Sequence, residues 1–360
     1  MKNTFGNSIS VTLFGESHGA EIGAVLDGFA PGIAVDEEYI ARKLSLRRPA
    51  GNISTKRVEP DRFRIVSGVF EGHTTGTPIC ILIPNENVRS KDYEDTRFLA
   101  RPGHADFTAF CKYRGYEDHR GGGHFSGRLT APLVAAGAIA QSALEKKGIR
   151  IGTHIARCAG IPDRGFEDFD SDIEMLADSG FAVLDASACA KIVSAMEQAA
   201  ADGDSVGGVL ETAVIGLPAG IGEPWFDSLE SVLSHALFSI PAVKGVEFGE
   251  GFAMADMRGS EANDSFAVLD GEIVTRTNHN GGISNGMPLI FRCAVKPTPS
   301  IYREQDTVDF LRRQEEKLLI SGRHDPAIVH RARVVADSVT AIVLCDMLAL
   351  RYGIDYLSES

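Results

Sequence analysis

The chain has 360 residues, of which 44% are apolar and 24% are charged, so it can bury a large core and has the composition of an ordinary globular protein. Its net charge of −13 argues against nucleic acid as the main partner, because no overall basic field would attract a polyanion. No apolar run approaches the length of a membrane span, and the N-terminus lacks an apolar signal core. We therefore expect a cytoplasmic protein without a membrane partner.

Six cysteines are scattered through the chain, and no two of them form a CxxC pair. Most of them stand in apolar runs, which predicts buried free thiols in a reducing compartment. This spacing does not indicate a disulfide framework or a cysteine metal site, and we expect no bound metal.

The first half of the chain alternates between apolar strands and amphipathic helices. The hydrophobic pattern predicts strands over 8–14, 23–27, 64–70 and 78–84. A helix is expected over 36–45 with Asp36 as its N-cap. A long apolar helix over 129–147 follows, and Gly148 is placed to end it.

The second half repeats this order. We predict strands over 208–215, 243–250 and 285–296, and helices over 228–238 and 332–352. The segment GLPAGI at 216–221 echoes GFAPGI at 28–33. These echoes predict one large domain built from two similar α/β halves, about 1–150 and 205–355, with strands layered around inner helices. An acidic helical insertion of about 165–203 is expected to be peripheral.

Two stretches concentrate cationic side chains in this acidic protein. Residues 42–64 contain eight cations against only Glu59 and Asp61, and residues 101–128 contain five cations and three histidines beside the triple glycine at 121–123. Three consecutive glycines suit a backbone that passes close to another group, with N–H donors available to an anion. Each stretch alone could be a solvated basic face or a flexible basic loop. Together they favour a concentrated site for a small anion that carries several charges.

Several long motifs occur in a fixed order, and together they resemble chorismate synthases nearly end to end. They include GESHG at 15–19, RPGHAD at 101–106, a glycine run that ends in SGR at 126–128, KPTPSI at 296–301 and GRHDP at 322–326. The resemblance implies a β-α-β sandwich (an α/β or α+β fold), usually a homotetramer. It also implies a lyase that removes phosphate and a ring proton from 5-enolpyruvylshikimate 3-phosphate in the shikimate pathway of aromatic amino acid biosynthesis. The product is chorismate, and the reaction needs reduced FMN with no net redox change.

The resemblance also assigns residues in this chain. His18 would assist at the substrate, His104 would protonate bound reduced flavin, and Asp325 would help to remove the ring proton. The alternative for Asp325 is a carboxylate that caps the C-terminal helix. The implied substrate-binding residues are Arg47, Arg48, Arg101, Ser126, Arg128 and Arg323. The implied FMN-binding residues are His104, His124, Phe125, Ser126, Ala242, Gly282, Lys296, Pro297, Thr298, Pro299, Ser300 and Arg323.

The chain departs from the family pattern beside the triple glycine. Many members have arginine and serine where this sequence has His124 and Phe125. The family's FMN contact therefore carries over to these two positions only if histidine and phenylalanine can replace those side chains. Ser126 and Arg128 remain.

Two other classes stay open at this point. One is a flavin reductase or flavin oxidoreductase, but no GxGxxG follows a predicted strand. We therefore expect a separate flavin reductase as a partner, with NADPH acting only through that enzyme. The other is a non-catalytic protein that binds anions or nucleic acid.

Overall fold

The protein is described by a computed structural model that covers residues 2–48, 53–54, 60–86, 97–275, 281–320 and 324–358. Predicted site residue Arg323 lies outside these ranges. The strands are β1 Thr4–Gly6, β2 Ser10–Gly15, β3 Glu21–Asp27, β4 Arg64–Ser67, β5 Val69–Phe70, β6 His73–Thr74, β7 Ile79–Pro84, β8 Arg150–Cys158, β9 Ile161–Pro162, β10 Gly208–Ile215, β11 Val243–Phe248, β12 Ala267–Leu269, β13 Glu272–Val274, β14 Leu289–Val295, β15 Gln305–Asp309 and β16 Gln314–Leu318. The helices are α1 Glu37–Leu46, α2 Asp106–Tyr113, α3 Thr130–Lys146, α4 Phe169–Ala177, α5 Ala186–Ala201, α6 Leu229–Leu237, α7 Gly259–Ala262 and α8 Val329–Tyr352.

Two five-stranded antiparallel sheets carry the fold. The first has the order β1-β2-β3-β7-β4 and the second has the order β11-β14-β10-β8-β9. In the first sheet, Ile22 pairs with Ile83, Ala24 with Ile81 and Leu26 with Ile79. All six side chains are fully buried, because residues two apart on a strand face the same side of the sheet.

Two long apolar helices lie between the sheets. Helix α3 packs against β2, β3 and β7, α8 packs against β8 and β10, and the two helices pack against each other. A Cβ atom on Gly137 of α3 would lie 2.3 Å from Ser338 Cβ of α8. The helices therefore approach as closely as glycine allows, which explains why both are rich in small residues.

Local start and stop signals predicted several helix ends correctly. Asp36 accepts hydrogen bonds from the backbone N–H groups of Glu38 and Tyr39 at the start of α1. Ser228 caps α6 in the same way, and Gly148 follows α3 with φ of 75°. Helix α8 begins at Val329, three residues earlier than the pattern indicated.

The 150–158 segment is a strand that the sequence analysis did not predict. Its polar residues Thr153 and His154 are fully buried. Thr153 bonds Asp337 of α8 at 2.6 Å, whereas His154 bonds Asp163 at 2.8 Å on the other face of the sheet. Because polar residues are buried on both faces of this strand, its sequence lacks the alternation of apolar and polar residues from which strands were predicted.

The first helix of the helical insertion packs directly on the second sheet. Helix α4 packs against β8 and β10, and a Cβ atom on Gly152 would meet Ile173 at 2.8 Å. Neighbouring residues on a strand point to opposite faces. Since Thr153 faces α8, Gly152 faces outward, and α4 covers the outer face of the second sheet.

The cysteines are less buried than predicted. Cys158, Cys293 and Cys345 are buried, but Cys80 and Cys189 are half-buried and Cys111 is exposed. All six are free thiols. None of the helices within the described ranges is both long and apolar enough to span a membrane.

Candidate active site

A cleft of about 1270 Å³ opens beside the first turns of α2, α3 and α8. Its walls come from both basic stretches of the sequence and from the KPTPS segment at 296–300. Among the described residues, nine lysines and arginines line it, against six aspartates and glutamates. The cleft is therefore locally cationic in a protein whose net charge is −13, which suits an anionic ligand.

Most of the predicted site residues meet in this cleft. Those that line it are Arg47, Arg48, Arg101, His104, His124, Phe125, Ser126, Arg128, Ala242, Lys296, Thr298, Pro299 and Asp325. Those that do not line it are His18, Gly282, Pro297 and Ser300. Gly282 instead lies against Ser228, and its carbonyl accepts from the Leu229 backbone N–H at the start of α6.

A buried ion-pair network forms the floor of the cleft around Asp61. Arg47 Nη2 lies 2.9 Å from Asp61 Oδ2, and Arg128 Nη1 donates to Asp61 Oδ1. Arg128 also donates from Nε to Asn85 Oδ1 at 3.1 Å. Burial alone would raise the pKa of Asp61, but Arg47 and Arg128 outweigh it and hold the pKa below its usual range. Asp61 is therefore a permanent anion beneath the cleft.

Two guanidinium donors next to this network have no acceptor within the described part of the chain. Arg47 Nε and Arg48 Nε are buried without a hydrogen-bond partner. An unmatched buried donor costs about 1–3 kcal/mol, and native structures rarely leave one unexplained. Both atoms belong to residues that line the cleft, so an anionic ligand is the group that would satisfy them.

The RPGH loop and the KPTPS segment are held together on the opposite wall. Lys296 Nζ donates to the Gly103 carbonyl at 2.7 Å, and a Cβ atom on Gly103 would lie 2.7 Å from Pro299 Cβ. This close approach places His104 Nε2 2.8 Å from Ser300 Oγ. The glycine therefore lets two motifs nearly 200 residues apart in sequence form one surface.

His104 is neutral near pH 7 in this arrangement. Burial, with the nearby charges of Arg101 and Lys296, lowers its pKa to about 4, although Asp106 acts in the opposite direction. Arg101 forms a two-point ion pair with Asp106 at 2.7 and 2.8 Å. Burial, with Lys244 nearby, also lowers the pKa of Lys296.

The triple glycine approaches the chain's own His18 loop. Gly121, Gly122 and Gly123 all have positive φ, between 52° and 85°. A Cβ atom on Gly121 would lie 2.5 Å from the His18 ring, and the Gly123 carbonyl accepts from the Ser17 backbone N–H at 3.1 Å. The close approach that the sequence indicated is therefore a contact that supports His18, which is only 8% exposed.

The replaced positions beside the glycines have clear contacts. His124 Nδ1 lies 2.8 Å from the Gly15 carbonyl, so it donates there and holds the same loop. Phe125 is 44% exposed and packs edge to face on Tyr113. Ser126 Oγ accepts from the Arg128 backbone N–H at 3.3 Å, which starts the turn before α3.

Asp325 is not a helix cap. The N-cap residue of α8 is Ile328, three residues further along, and its side chain makes no capping hydrogen bond. Asp325 Oδ2 instead accepts from Arg331 Nη1 at 2.5 Å, and Arg331 Nε donates to the Arg47 carbonyl at 2.8 Å. Arg331 thus fixes the aspartate beside an arginine of the cleft floor.

Sequence reasoning did not select Asp61, Asp106 or Arg331. Asp61 had a signal, because it is one of only two acids in the basic 42–64 stretch. Arg331 had none, since an arginine in a helix is more often solvated. Within the described ranges, no cluster of three or more His, Cys, Asp or Glu residues could hold a metal ion.

Comparisons with known proteins identify the family of this chain. The chorismate synthase family model matches residues 9–349. The chain is 47% identical over 350 residues to the chorismate synthase of Pyrococcus abyssi, covering 96% of this chain and 97% of that protein. It is 46% identical over 350 residues to that of Thermococcus kodakarensis, with the same coverage. A solved crystal structure of a chorismate synthase superposes with a TM-score of 0.76 at 27% identity, covering 97% of this chain and 94% of the other. The chain therefore belongs to the chorismate synthase family, whose members are carbon–oxygen lyases that act on a phosphate ester.

Proposed function

We propose that this chain converts 5-enolpyruvylshikimate 3-phosphate to chorismate by anti-1,4-elimination of phosphate and a ring proton, with reduced FMN and no net redox change. The cationic cleft carries this proposal. The substrate has two carboxylates and one phosphate, and FMN adds a second phosphate. Such charges repel one another strongly in a partly dehydrated site unless several cations separate them. Nine cationic side chains line the cleft.

The residues of the cleft fit a flavin beside the substrate. Its volume of about 1270 Å³ exceeds the roughly 300–1,000 Å³ usual for one small ligand. Thr298 Oγ1 is buried without a partner, next to the lysine of the KPTPS segment. Lys296, Thr298 and Pro299 would hold the FMN on this wall, with Ala242 and Ser126 also in reach. Reduced FMN, when bound, supplies electron density that promotes loss of the phosphate.

We propose that His124 and Phe125 contact the FMN differently from the arginine and serine that many family members have at these positions. His124 uses Nδ1 on the Gly15 carbonyl, so only Nε2 is left for a ligand, in place of the several donors of an arginine. Phe125 offers an apolar edge. Both residues line the cleft and would contact the flavin without the fixed positive charge of an arginine.

The substrate contacts are proposed for the arginines of both walls. Arg47, Arg48 and Arg128 lie on the floor, and Arg101 lies on the opposite wall with His104. Arg323 would complete the set. Guanidinium groups suit both carboxylate and phosphate, because they present paired donors.

Three residues are proposed to move or hold protons. His18, under the glycine loop, would assist at the substrate. His104 Nε2 would hold a proton for the flavin. Asp325, oriented by Arg331 at 2.5 Å, would take part in removing the ring proton. A positioned acid or base of this kind contributes about 10²–10⁴-fold to rate.

The finer points of organisation are also proposals. We propose one cytoplasmic domain that forms a homotetramer and receives reduced FMN from a separate flavin reductase that consumes NADPH. Internal duplication of a β-α-β sandwich is supported by strand order. Apart from β1 and β9, the sheets run β2-β3-β7-β4 and β8-β10-β14-β11, so each takes its four strands in the same first-second-fourth-third order.

An anaerobic assay tests the function. The protein is mixed with 5-enolpyruvylshikimate 3-phosphate, and both phosphate release and chorismate absorbance are followed with reduced FMN, with oxidised FMN and without flavin. We expect both products in equal amounts, and only with reduced FMN. Oxidation of NADPH with added FMN but no elimination would instead favour a flavin reductase. Binding of RNA that weakens steeply with salt, without flavin affinity, would favour a nucleic-acid-binding protein.

A further inference from the structure

Asp61 holds two arginines at a fixed spacing. The residue is 4% exposed, and each of its carboxylate oxygens bonds a different guanidinium group. Arg47 and Arg128 are themselves only 7% and 8% exposed. One carboxylate therefore sets the distance between two cationic groups that come from separate parts of the chain. Such a shared carboxylate fixes geometry as well as charge.

The backbone at Asp61 is built for this position. Its φ is 47°, a region that residues other than glycine rarely adopt, although aspartate and asparagine tolerate it best. The preceding residue, Pro60, accepts a hydrogen bond from Arg48 Nη2 through its carbonyl. Two consecutive residues of one turn thus bind three arginines. Strained backbone of this kind persists where the surroundings hold it and is concentrated at functional sites.

The bonding of Arg47 shows what the arrangement leaves for a ligand. Its Nη2 donates to Asp61 and its Nη1 to Thr130 Oγ1 at 3.4 Å. Among the residues that the structure describes, its Nε has no acceptor, and the same is true of Arg48 Nε. Asp61 and Pro60 therefore accept from the terminal Nη2 atoms of Arg47 and Arg48, whereas the Nε atoms stay unsatisfied. The position of those donors depends on where Asp61 holds the guanidinium plane.

We propose that Asp61 is a positioning residue. It does not touch the ligand, but it orients Arg47 so that unsatisfied N–H groups meet an anionic group, a phosphate or a carboxylate. The identity of that anion rests on the proposed function, whereas the positioning does not. The competing explanation is charge compensation, in which Asp61 only neutralises buried arginines. The two explanations predict opposite changes in anion affinity.

The test compares Asp61→Asn with Asp172→Asn as the matched control. Asp172 is equally buried at 4% exposure, is bound by Arg164 and lies away from the cleft. Asparagine tolerates the left-handed backbone at 61, so the substitution removes the charge and replaces one acceptor oxygen with an N–H donor. Binding of inorganic phosphate is measured by calorimetry. We expect Asp61→Asn to weaken it by about tenfold or more and Asp172→Asn to leave it unchanged.

The sign of the effect decides between the explanations. Asp61→Asn makes the cleft more positive, so charge compensation alone predicts equal or tighter phosphate binding, and that result would overturn the proposal. The unpaired buried arginines can also prevent folding. Asp61→Glu covers that case, because it keeps the charge but moves the carboxylate by one methylene group. We expect it to fold, with a thermal midpoint lowered by the left-handed backbone and the extra methylene group, and to bind phosphate about tenfold more weakly.

Two outcomes complete the test. Wild-type affinity in Asp61→Glu, or failure of both variants to fold, would mean that Asp61 is structural, and the proposal would be wrong. Turnover is measured in parallel on the same samples. If the wild-type protein makes no chorismate but phosphate binding responds as expected, the proposed function fails while the role of Asp61 stands.

Discussion

Substituting Gly121 by alanine tests whether the triple glycine sets the position of His18. Two costs are expected. The first is backbone strain, because alanine at φ of 60° costs about 1–2 kcal/mol. The second is overlap, because the added Cβ would lie 2.5 Å from the His18 ring, well below the 3.4 Å at which ordinary contact begins. Relief of that overlap requires a shift of about 1 Å, and a 1 Å misplacement in an active site can lower the rate by about 10²-fold.

Gly148→Ala isolates the first cost. Gly148 has φ of 75°, and nothing lies within 4 Å of its Cβ position. We expect urea unfolding to show a loss of about 1–2 kcal/mol in Gly148→Ala and a further 1–3 kcal/mol in Gly121→Ala, the usual range for overpacking. Turnover, measured anaerobically with reduced FMN, should fall about 10²-fold only in Gly121→Ala. Wild-type turnover per folded molecule in Gly121→Ala would refute the reasoning, because His18 would then not need this support.

Three further outcomes are expected. Asp325→Asn should lower turnover by about 10²-fold with only a small fall in the thermal midpoint, since Ile328 is the N-cap of α8 and the amide oxygen can still accept from Arg331. A loss of stability at normal turnover would contradict this. His330 is buried against Ser54, and burial lowers its pKa to about 4. As the pH falls from about 6.5 to 4, His330 takes up a proton in the unfolded chain but not in the folded one, so the free energy of unfolding falls across that range. His330→Gln should reduce the slope of unfolding free energy against pH by the equivalent of about one proton. FMN should bind more tightly when substrate is present, and equal affinity in titrations with and without substrate would exclude this coupling.

The sequence predicted those parts of the fold that depend on local signals. Asp36 and Gly148 mark helix ends by chemistry that acts within one turn. The sequence could not predict β8, because the partners that allow Thr153 and His154 to be buried come from distant segments. The same limit applies to the site. Most of the candidate residues that the motifs indicated do line one cleft. The sequence could not show which arginines Asp61 would bind, because Arg47 and Arg128 come from separate parts of the chain.

His104 poses a problem that only bound ligand can solve. With a pKa of about 4, only roughly one molecule in 10³ carries the proton at pH 7, and raising the pKa to 7 requires about 4 kcal/mol of favourable interaction. The nearby cations Arg101 and Lys296 contribute to the low value. A bound phosphate or carboxylate would offset them, because an anion within a few ångströms favours the charged imidazole. Ligand binding should therefore draw about one proton from solution at each site. Calorimetry in buffers of different ionisation enthalpy measures that uptake, which should disappear in His104→Gln and persist in a control at His73, which is exposed and does not line the cleft. If the wild-type protein binds FMN and substrate without taking up a proton, His104 stays neutral and cannot be the acid.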